Sequence, residues 1–369
     1  MLFHMESDII LSAVKKPIML IDRAKSVANI ERMSCKARSN DVVLRPHFKT
    51  HQSAEVGRWF RIAGIDRIAV SSVSMARFFA ANGWSDIMIA FPANLREVDE
   101  INHLAGSTNL SLTVSAKGIM PLLAERISAP VNIFLEIDVG ANRTGFNPLD
   151  IENLLCAINQ AATNPKLRLA GFMTHAGHTY QAQNSGEIFH IHKTGMELLN
   201  KLKKDIGDQL PNPVLSWGDT PTCVLADEYY GADELRPGNF VFYDLMQWQL
   251  GVCSLDEIAV AVAAPVVALY PSRNEMVVYA GAVHLSKEVA LCPAAKPHYG
   301  IVVILDTSGR WKIPEDKVYV RRISQEHGVI SASEQFMERF VPGDLVGILP
   351  VHSCLTADLL RHDSTLVIG

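Results

Sequence analysis

Strand-like and helix-like segments alternate between residues 41 and 245, and this alternation limits the possible folds more than any other feature of the chain. The eight strand candidates are short apolar runs at 43–49, 67–72, 86–92, 110–115, 131–138, 168–175, 213–217 and 235–243. The helix candidates between them have apolar residues at helical spacing, as Val98, Ile101 and Leu104 do. Strands joined by crossover helices form a parallel sheet, so the sequence predicts an α/β fold.

The number of strands favours a closed (β/α)8 barrel, although an open doubly wound sheet would give a similar pattern. No GxGxxG motif follows the first strand, which argues against a Rossmann domain. After about residue 250 the chain becomes β-rich, with Gly and Pro between short strands and no long helical pattern. We therefore expect a barrel over residues 17–248 and a mainly antiparallel β domain over 249–369, with residues 1–16 open to either.

Composition excludes several classes of function. The 369 residues are 48% hydrophobic, which is enough for two domains, and the net charge of -5 argues against a nucleic-acid partner. The longest apolar run, 258–269, is too short to cross a bilayer, and the N-terminus lacks the regions of a signal peptide. Six cysteines without a CxxC pair are typical of a reducing compartment, so we expect a cytoplasmic protein that does not associate with membranes.

Lys49 ends the first strand candidate, within RPHFKTH at 45–51. Catalytic groups of a (β/α)8 barrel gather at the C-terminal ends of its strands. A lysine held against apolar walls can keep a free amine and form a Schiff base with a cofactor. A solvated lysine in a loop would give the same pattern, so Lys49 is a candidate on position alone.

Two glycine-containing turns follow the last two strand candidates. GDTPT at 218–222 opens a helix, and RPGN at 236–239 forms a second turn. Backbone N–H groups and hydroxyls at such turns bind phosphate, and adjacent phosphate loops recur after the last two strands of barrels. Ordinary helix capping by Asp219 or Thr220 explains the first turn equally well.

His352 and Cys354 lie two residues apart near the C-terminus. On an extended segment these side chains face the same way, so one metal ion could bind both. A thiolate with an imidazole suits Zn²⁺ better than Mg²⁺, and two ligands leave the open positions of a catalytic site. His178 and His327 are further candidates, each of which a structural or surface role would also explain.

Seven stretches together resemble the D-serine dehydratase and D-threonine aldolase family, whose members are pyridoxal 5′-phosphate (PLP) enzymes related in fold to alanine racemase. They are RPHFKTH at 45–51, EIDVGANRTG at 136–145, THAGHTY at 174–180, GDTPT at 218–222, ELRPGNFVFYD at 234–244, EHG at 326–328 and HSCLT at 352–356. The resemblance implies a barrel of the alanine-racemase type with a C-terminal β domain. It also implies a homodimer with the pocket near the subunit interface.

The resemblance further implies a role for each matching residue. Lys49 would be the Schiff-base lysine, Arg143 would lie near the cofactor's phenolic oxygen and His175 against its ring face. His352 and Cys354 would bind a divalent metal, with zinc preferred. The other cofactor contacts would be Gly218, Asp219, Thr220, Gly238 and Asn239 around the phosphate, and Tyr180 and Arg236 near the ring.

Two reactions of β-hydroxy D-amino acids follow from these parts. If Lys49 removes the α-proton, the β-hydroxyl leaves as water and the product hydrolyses to an oxo acid and ammonia. If a base such as His178 or a metal-bound hydroxide deprotonates the β-hydroxyl, the Cα–Cβ bond breaks and gives glycine and an aldehyde.

We expect dehydration of D-serine or a related substrate, with aldol cleavage as the alternative. A racemase would leave the His352–Cys354 pair unexplained, and a non-catalytic PLP-binding protein would leave residues 250–369 unexplained. The segment AGAVHLSK at 280–287 departs from the family pattern, so the substrate itself stays open.

Overall fold

The structure is a computed structural model that describes residues 11–361 and 365–369. Its strands are β1 (Ile18–Asp22), β2 (Val43–Leu44), β3 (Arg67–Val70), β4 (Asp86–Pro92), β5 (Asn109–Val114), β6 (Val131–Glu136), β7 (Leu167–His175), β8 (Val214–Gly218), β9 (Glu234–Leu235), β10 (Val260–Tyr270), β11 (Glu275–Tyr279), β12 (Ala290–Leu291), β13 (Pro297–His298), β14 (Gly300–Leu305), β15 (Trp311–Lys312), β16 (Val318–Ile323), β17 (His327–Ser331), β18 (Leu345–Pro350) and β19 (Thr365–Ile368). Its α-helices are α1 (Arg23–Ser39), α2 (Ala54–Ile62), α3 (Val73–Ala81), α4 (Val98–Ala105), α5 (Ile119–Arg126), α6 (Ile151–Ala161), α7 (Ser185–Ile206), α8 (Thr220–Leu225), α9 (Leu245–Gln249), α10 (Ala282–Leu285), α11 (Glu334–Met337) and α12 (Ser353–Leu360).

Strands β2 to β9 form one eight-stranded sheet in the order β2-β9-β8-β7-β6-β5-β4-β3. Each neighbouring pair is parallel. An isolated parallel bridge between His47 and Ala69 joins the segment after β2 to β3, the two edges of this sheet. The expected (β/α)8 barrel is therefore confirmed, and the open doubly wound alternative is wrong.

The first and last barrel strands are shorter than predicted. The predicted 43–49 contains only Val43–Leu44 as a strand, and the predicted 235–243 overlaps Glu234–Leu235 before a 3-10 turn at Asn239–Val241. Pro46 and Pro237 explain the difference, because proline has no N–H to donate to a neighbouring strand.

Helix α1 was not predicted. Its apolar buried residues have helical spacing, but buried polar residues interrupt the stripe: Ile30, Met33 and Ala37 are apolar, and Ser26, Asn29 and Ser34 are polar. The partner of Asn29 lies far away in the sequence, where no sequence pattern reveals it. Its Nδ2 donates to the carbonyl of Glu257 at 3.0 Å.

The C-terminal part forms a second, mainly antiparallel sheet in the order β11-β17-β16-β14-β18-β10-β1-β19, with β15 paired to β14. This confirms the expected β domain. Residues 18–29 and 241–248, which the expected boundaries place with the barrel, group with this sheet together with Thr50–Gln52. The sequence did not assign residues 1–16 to either domain, and residues 1–10 of this stretch lie outside the described part of the chain.

Among the residues that the structure describes, no helix is both long and apolar enough to cross a membrane. None of the six cysteines, all of which lie in the described residues, is paired in a disulfide.

His192 on α7 gives the barrel a pH dependence. Its side chain is 1% exposed, and its ring lies 4.8 Å from that of Trp217. Burial lowers its pKa from 6.5 to about 4. Between pH 6.5 and pH 4, His192 is therefore protonated in the unfolded chain but neutral in the folded protein. The stability from this group is present above pH 6.5 and is lost as the pH falls towards 4.

We expect His192 to account for a loss of about 2 kcal/mol in the free energy of unfolding between pH 7 and pH 5. Urea unfolding of the wild type and of His192→Phe at both pH values measures it, and the variant should lose less stability on acidification. His190→Phe, exposed on the same helix, is the control. Equal acid losses in the wild type and His192→Phe would contradict the assignment.

Candidate active site

Lys49 is positioned by the residue that precedes it. The Phe48 side chain is fully buried, and its ring centroid lies 4.9, 4.9 and 5.0 Å from those of Phe60, Phe79 and Trp84. Such edge and tilted aromatic contacts fix the backbone of the segment. The neighbours of Phe48, His47 and Lys49, both line a pocket of about 230 Å³ within the barrel.

Five predicted site residues line this pocket: Lys49, Arg143, His175, Gly218 and Arg236. Each follows or ends a different barrel strand, namely β2, β6, β7, β8 and β9. Catalytic groups of barrels are assembled from several strand ends in this way. The other predicted residues of the barrel are His178, Tyr180, Asp219, Thr220, Gly238 and Asn239, and they do not line the pocket.

His175 is a neutral ring in this pocket. Its Nδ1 lies 2.7 Å from the carbonyl oxygen of Gly218, and since a carbonyl only accepts, Nδ1 carries the proton. Burial, with the positive charges of Lys49 and Arg143, lowers its pKa to about 3. The ring therefore offers an uncharged face and an unprotonated Nε2 at neutral pH.

His47 was not among the predicted site residues. Burial lowers its pKa well below 6.5, and the positive charges of Lys49 and Arg236 lower it further. Its Nδ1 accepts the backbone N–H of Lys49 at 3.3 Å, so Nε2 carries the proton of the neutral ring. The position of His47 two residues before Lys49 was the available sequence signal.

Arg143 faces a buried carboxylate. Its guanidinium side chain is 58% exposed, and Nη2 lies 3.9 Å from Oε1 of Glu136. That carboxylate is already hydrogen-bonded, since Ser115 donates to it at 2.6 Å and Thr144 at 2.9 Å. Arg143 is therefore held loosely and can turn towards an anionic group in the pocket.

Arg236 is held firmly by a chain of buried hydrogen bonds. Nη2 donates to the carbonyl of Thr174 at 2.5 Å, and Nη1 donates to Ser216. Ser216 in turn donates to Glu234 at 2.5 Å, and Arg45 donates to the other oxygen of Glu234 at 2.6 Å. Burial lowers the pKa of Arg236 to about 10, so it stays charged at neutral pH. Arg45 also donates to Asp86 at 2.5 Å, so two carboxylates compensate the two buried arginines.

Backbone N–H groups of the two glycine-containing turns converge on one hydroxyl. The amides of Gly238 and Asn239 donate to Oγ1 of Thr220 at 3.3 and 3.1 Å. The amide of Thr220 donates to the hydroxyl of Tyr180 at 3.3 Å. The structure therefore brings these four predicted residues together.

Asp219 caps the helix that follows it. Oδ1 accepts the amide of Thr222 at 2.6 Å, and Oδ2 accepts the indole N–H of Trp217 at 2.7 Å. Burial raises its pKa to about 6. The sequence allowed either helix capping or phosphate binding at this turn, and the contacts of Asp219 are those of a helix cap.

His178 lies in the 3-10 turn Gly177–Gln181. Burial lowers its pKa, and the charge of Asp138 opposes this shift. Its role as a base stays a prediction.

His352 and Cys354 are not on an extended segment, contrary to the sequence argument. Strand β18 ends at Pro350, His352 is the residue before α12, and Cys354 lies in the first turn of α12. The two side chains nevertheless interact. Burial lowers the pKa of His352. A hydrogen bond with Cys354 and the negative charge of that thiolate outweigh the effect of burial and raise the pKa of His352 to about 9.

Two contacts fix this segment. Oδ2 of Asp244 accepts the amide and the hydroxyl of Ser353 at 2.9 and 3.2 Å, and Oγ1 of Thr50 lies 3.2 Å from Sγ of Cys354. Within the described residues, Nδ1 of His352 is a buried atom without a hydrogen-bond partner. An imidazole nitrogen and a thiol therefore fit a metal such as zinc.

Over the same part of the chain, no group of three or more His, Cys, Asp or Glu side chains is arranged to hold a metal. The pair would leave the other coordination positions open.

Known families match both halves of the chain. Residues 21–245 match the alanine racemase N-terminal domain, and residues 259–367 match a putative serine dehydratase domain. The chain belongs to the D-serine dehydratase and D-threonine aldolase family of alanine-racemase-type proteins. The resemblance expected from the seven sequence stretches is therefore confirmed.

Relatives in this family are named as dehydratases and aldolases. D-threo-3-hydroxyaspartate dehydratase of Delftia sp. strain HT23 is 29% identical over 358 residues, 94% of this chain and 92% of the relative. D-serine dehydratase of Dictyostelium discoideum is 29% identical over 384 residues, with the same coverage. D-threonine aldolase of Arthrobacter sp. is 29% identical over 174 residues, 45% of each chain.

The solved structure of the Delftia dehydratase has the same fold. It matches with a TM-score of 0.85 at 28% identity, covering 95% of this chain and 93% of that one. The alanine-racemase-type barrel with a C-terminal β domain is therefore confirmed, and the expected lyase class agrees with the names of the family members.

Gly218 leads to a prediction for this family member. A Cβ at residue 218 would lie 2.9 Å from Nη2 of Arg236 and 3.4 Å from the carbonyl oxygen of Thr174. Gly218→Val should therefore displace Arg236 and raise the Kd for PLP at least about tenfold, since close backbone approach needs glycine. The quenching of tryptophan fluorescence on adding PLP to cofactor-free protein measures this Kd. Gly118→Val, whose Cβ meets open space, is the control, and an unchanged Kd for Gly218→Val would contradict the prediction.

Proposed function

We propose that the protein is a PLP-dependent lyase acting on β-hydroxy D-amino acids, and that it dehydrates and deaminates D-serine or a closely related substrate. The observation that supports this most is the set of strand-end residues around Lys49. An amine, a neutral imidazole and a fixed guanidinium line one pocket, in the residues Lys49, His175 and Arg236.

The residues of this pocket fit PLP. When bound, PLP supplies an electron sink for negative charge at the substrate Cα. Lys49 would hold it through an imine and, once released, would move the α-proton as a general base. Neutral His175 would face the ring without adding charge. The amides of Thr220, Gly238 and Asn239, which already converge on polar oxygens, would bind the phosphate.

We also propose that His352 and Cys354 hold a divalent metal, preferentially zinc. When bound, the metal supplies a Lewis acid for the β-hydroxyl of the substrate. Two observations support this: Nδ1 of His352 is buried with no hydrogen-bond partner among the residues that the structure describes, and the thiol of Cys354 lies beside the ring. A D-threo-3-hydroxyaspartate dehydratase with a cysteine-to-alanine substitution has been solved in a metal-free form, which points to a metal in that protein.

Similarity over the full length favours dehydration over aldol cleavage. The matches to the Delftia and Dictyostelium dehydratases cover 94% of this chain, whereas the match to the Arthrobacter aldolase covers 45%. The aldolase reaction stays the alternative, because it needs the same cofactor and the same type of substrate.

A product assay tests the proposal. Purified protein with PLP and Zn²⁺ is incubated with D-serine, D-threo-3-hydroxyaspartate or D-threonine, and with the L-enantiomers as controls. We expect an oxo acid and ammonia from at least one D-substrate and no product from the L-forms. Glycine and an aldehyde would instead establish the aldolase, and no product from any D-substrate would refute the lyase.

The homodimer and the cytoplasmic location stay predictions. Light scattering of the purified protein tests the first, since a dimer of the 40.6 kDa chain has twice that mass. Fractionation of cells tests the second.

A further inference from the structure

Phe91 is placed by an irregularity in a barrel strand. The pairing of β4 with β5 shifts between Ile89 and Pro92, so that Ala90 and Phe91 have no opposite residues in this ladder. Such a β-bulge redirects side chains and is often found next to an active site. The Phe91 side chain is 58% exposed, which is unusual for a large aromatic residue within a buried strand.

The redirected segment forms a wall shared by two cavities of the barrel. Phe91 and Pro92 line the pocket of Lys49, and they also line a second cavity of about 110 Å³. Ser71 is the third residue common to both. Phe91 therefore lies where a substituent on a substrate bound at Lys49 would meet the second cavity.

The second cavity is apolar in its chemical character. Buried side chains of Val73, Ile89 and Leu112 line it. Three of its polar side chains already have partners, since the hydroxyl of Ser72 accepts a backbone amide at 3.1 Å and Asn94 donates to Glu97 at 2.8 Å. An apolar group would fit there without breaking these hydrogen bonds.

We propose that Phe91 determines specificity by closing this apolar cavity, and that it limits the substrates to β-hydroxy D-amino acids with a small group on Cβ. The inference rests on the proposed lyase function and adds the substrate class. An apolar cavity of roughly 150 Å³ accepts a benzene ring. The 110 Å³ cavity together with the space of the Phe91 ring should reach that size once the ring is removed.

Kinetics of Phe91→Ala with D-serine and D-phenylserine test the proposal. We expect kcat/KM for D-phenylserine to rise at least about tenfold, mainly through a lower KM, because the new space takes the phenyl ring. The value for D-serine should not rise, since D-serine has no substituent on Cβ that could enter the new space, so the ratio of the two kcat/KM values is the readout. Phe91→Tyr keeps the wall and should behave as the wild type.

Binding of D-phenylalanine provides a readout that needs no turnover, because this ligand has no β-hydroxyl to lose. The change in cofactor absorbance on titration gives its Kd, which should fall about tenfold in Phe91→Ala and not in Phe91→Tyr. Phe91→Leu serves the same purpose if the alanine variant fails to fold by circular dichroism.

The outcomes separate the two proposals. If D-phenylalanine binds equally to the wild type and to folded variants with a smaller residue 91, the specificity role of Phe91 is wrong. If binding tightens as expected but no β-hydroxy D-amino acid is converted by any form, the proposed lyase function is wrong and the apolar subsite stands.

Discussion

Lys49→Ala is expected to produce a colourless protein with at least about a 10³-fold loss of turnover. The reason is chemical, because an imine needs a primary amine and Lys49 places one in the pocket. The aromatic contacts of Phe48 do not involve this amine, so the variant should fold normally. Visible absorbance after reconstitution with PLP and gel filtration measures the first effect, and the product assay measures the second.

Lys49→Arg is the matched variant for this experiment. It keeps a positive charge in the pocket, but a guanidinium does not form a stable imine, so it should be as inactive as Lys49→Ala. Lys193→Ala, exposed on α7, should keep both colour and activity. A Lys49→Ala protein that stays yellow would show that another lysine binds the cofactor.

The barrel could be predicted because its evidence is local. Each strand is an apolar run, and β4 was predicted with its observed bounds, Asp86–Pro92. Helix α1 was missed because buried polar residues interrupt its apolar stripe, and the partner of one of them, Asn29, lies 228 residues away in the sequence. Propensity and periodicity contain no information about such partners.

Some features of the candidate site could likewise be predicted from the sequence, and others could not. Lys49, His175 and Gly218 could be predicted because they end or directly follow strand-like runs and match family stretches. The hydrogen bonds that hold Arg236 could not be predicted, since Glu234 and Arg45 are 189 residues apart and meet only when β2 pairs with β9. A distant pair of charges in a sequence gives no sign of this contact.

Irregular backbone also could not be predicted from the sequence. The bulge that exposes Phe91 is a shift of register between two strands, which an apolar run does not reveal. The extended geometry assumed for His352 and Cys354 was wrong because α12 begins at Ser353. Their proximity comes instead from the start of a helix.

That arrangement predicts a metal that can be removed without unfolding the protein. Four protein ligands are typical of structural zinc, whereas His352 and Cys354 supply two, and the described residues offer no cluster of three. Treatment with a chelator should lower activity on β-hydroxy D-amino acids at least about 100-fold, and Zn²⁺ should restore it. Visible PLP absorbance should survive, because the imine of Lys49 does not depend on a metal.

Cys354→Ala should behave like the chelated protein, with its circular dichroism unchanged. Cobalt substitution gives a readout independent of turnover, because a cobalt–thiolate bond absorbs near the edge of the visible range and this band should be absent from the variant. Cys35→Ala, which removes an exposed thiol from α1, should retain the band, the metal and the activity. Full activity in protein that elemental analysis shows to be free of metal would refute the metal site, because dehydration would then need only the groups of the Lys49 pocket.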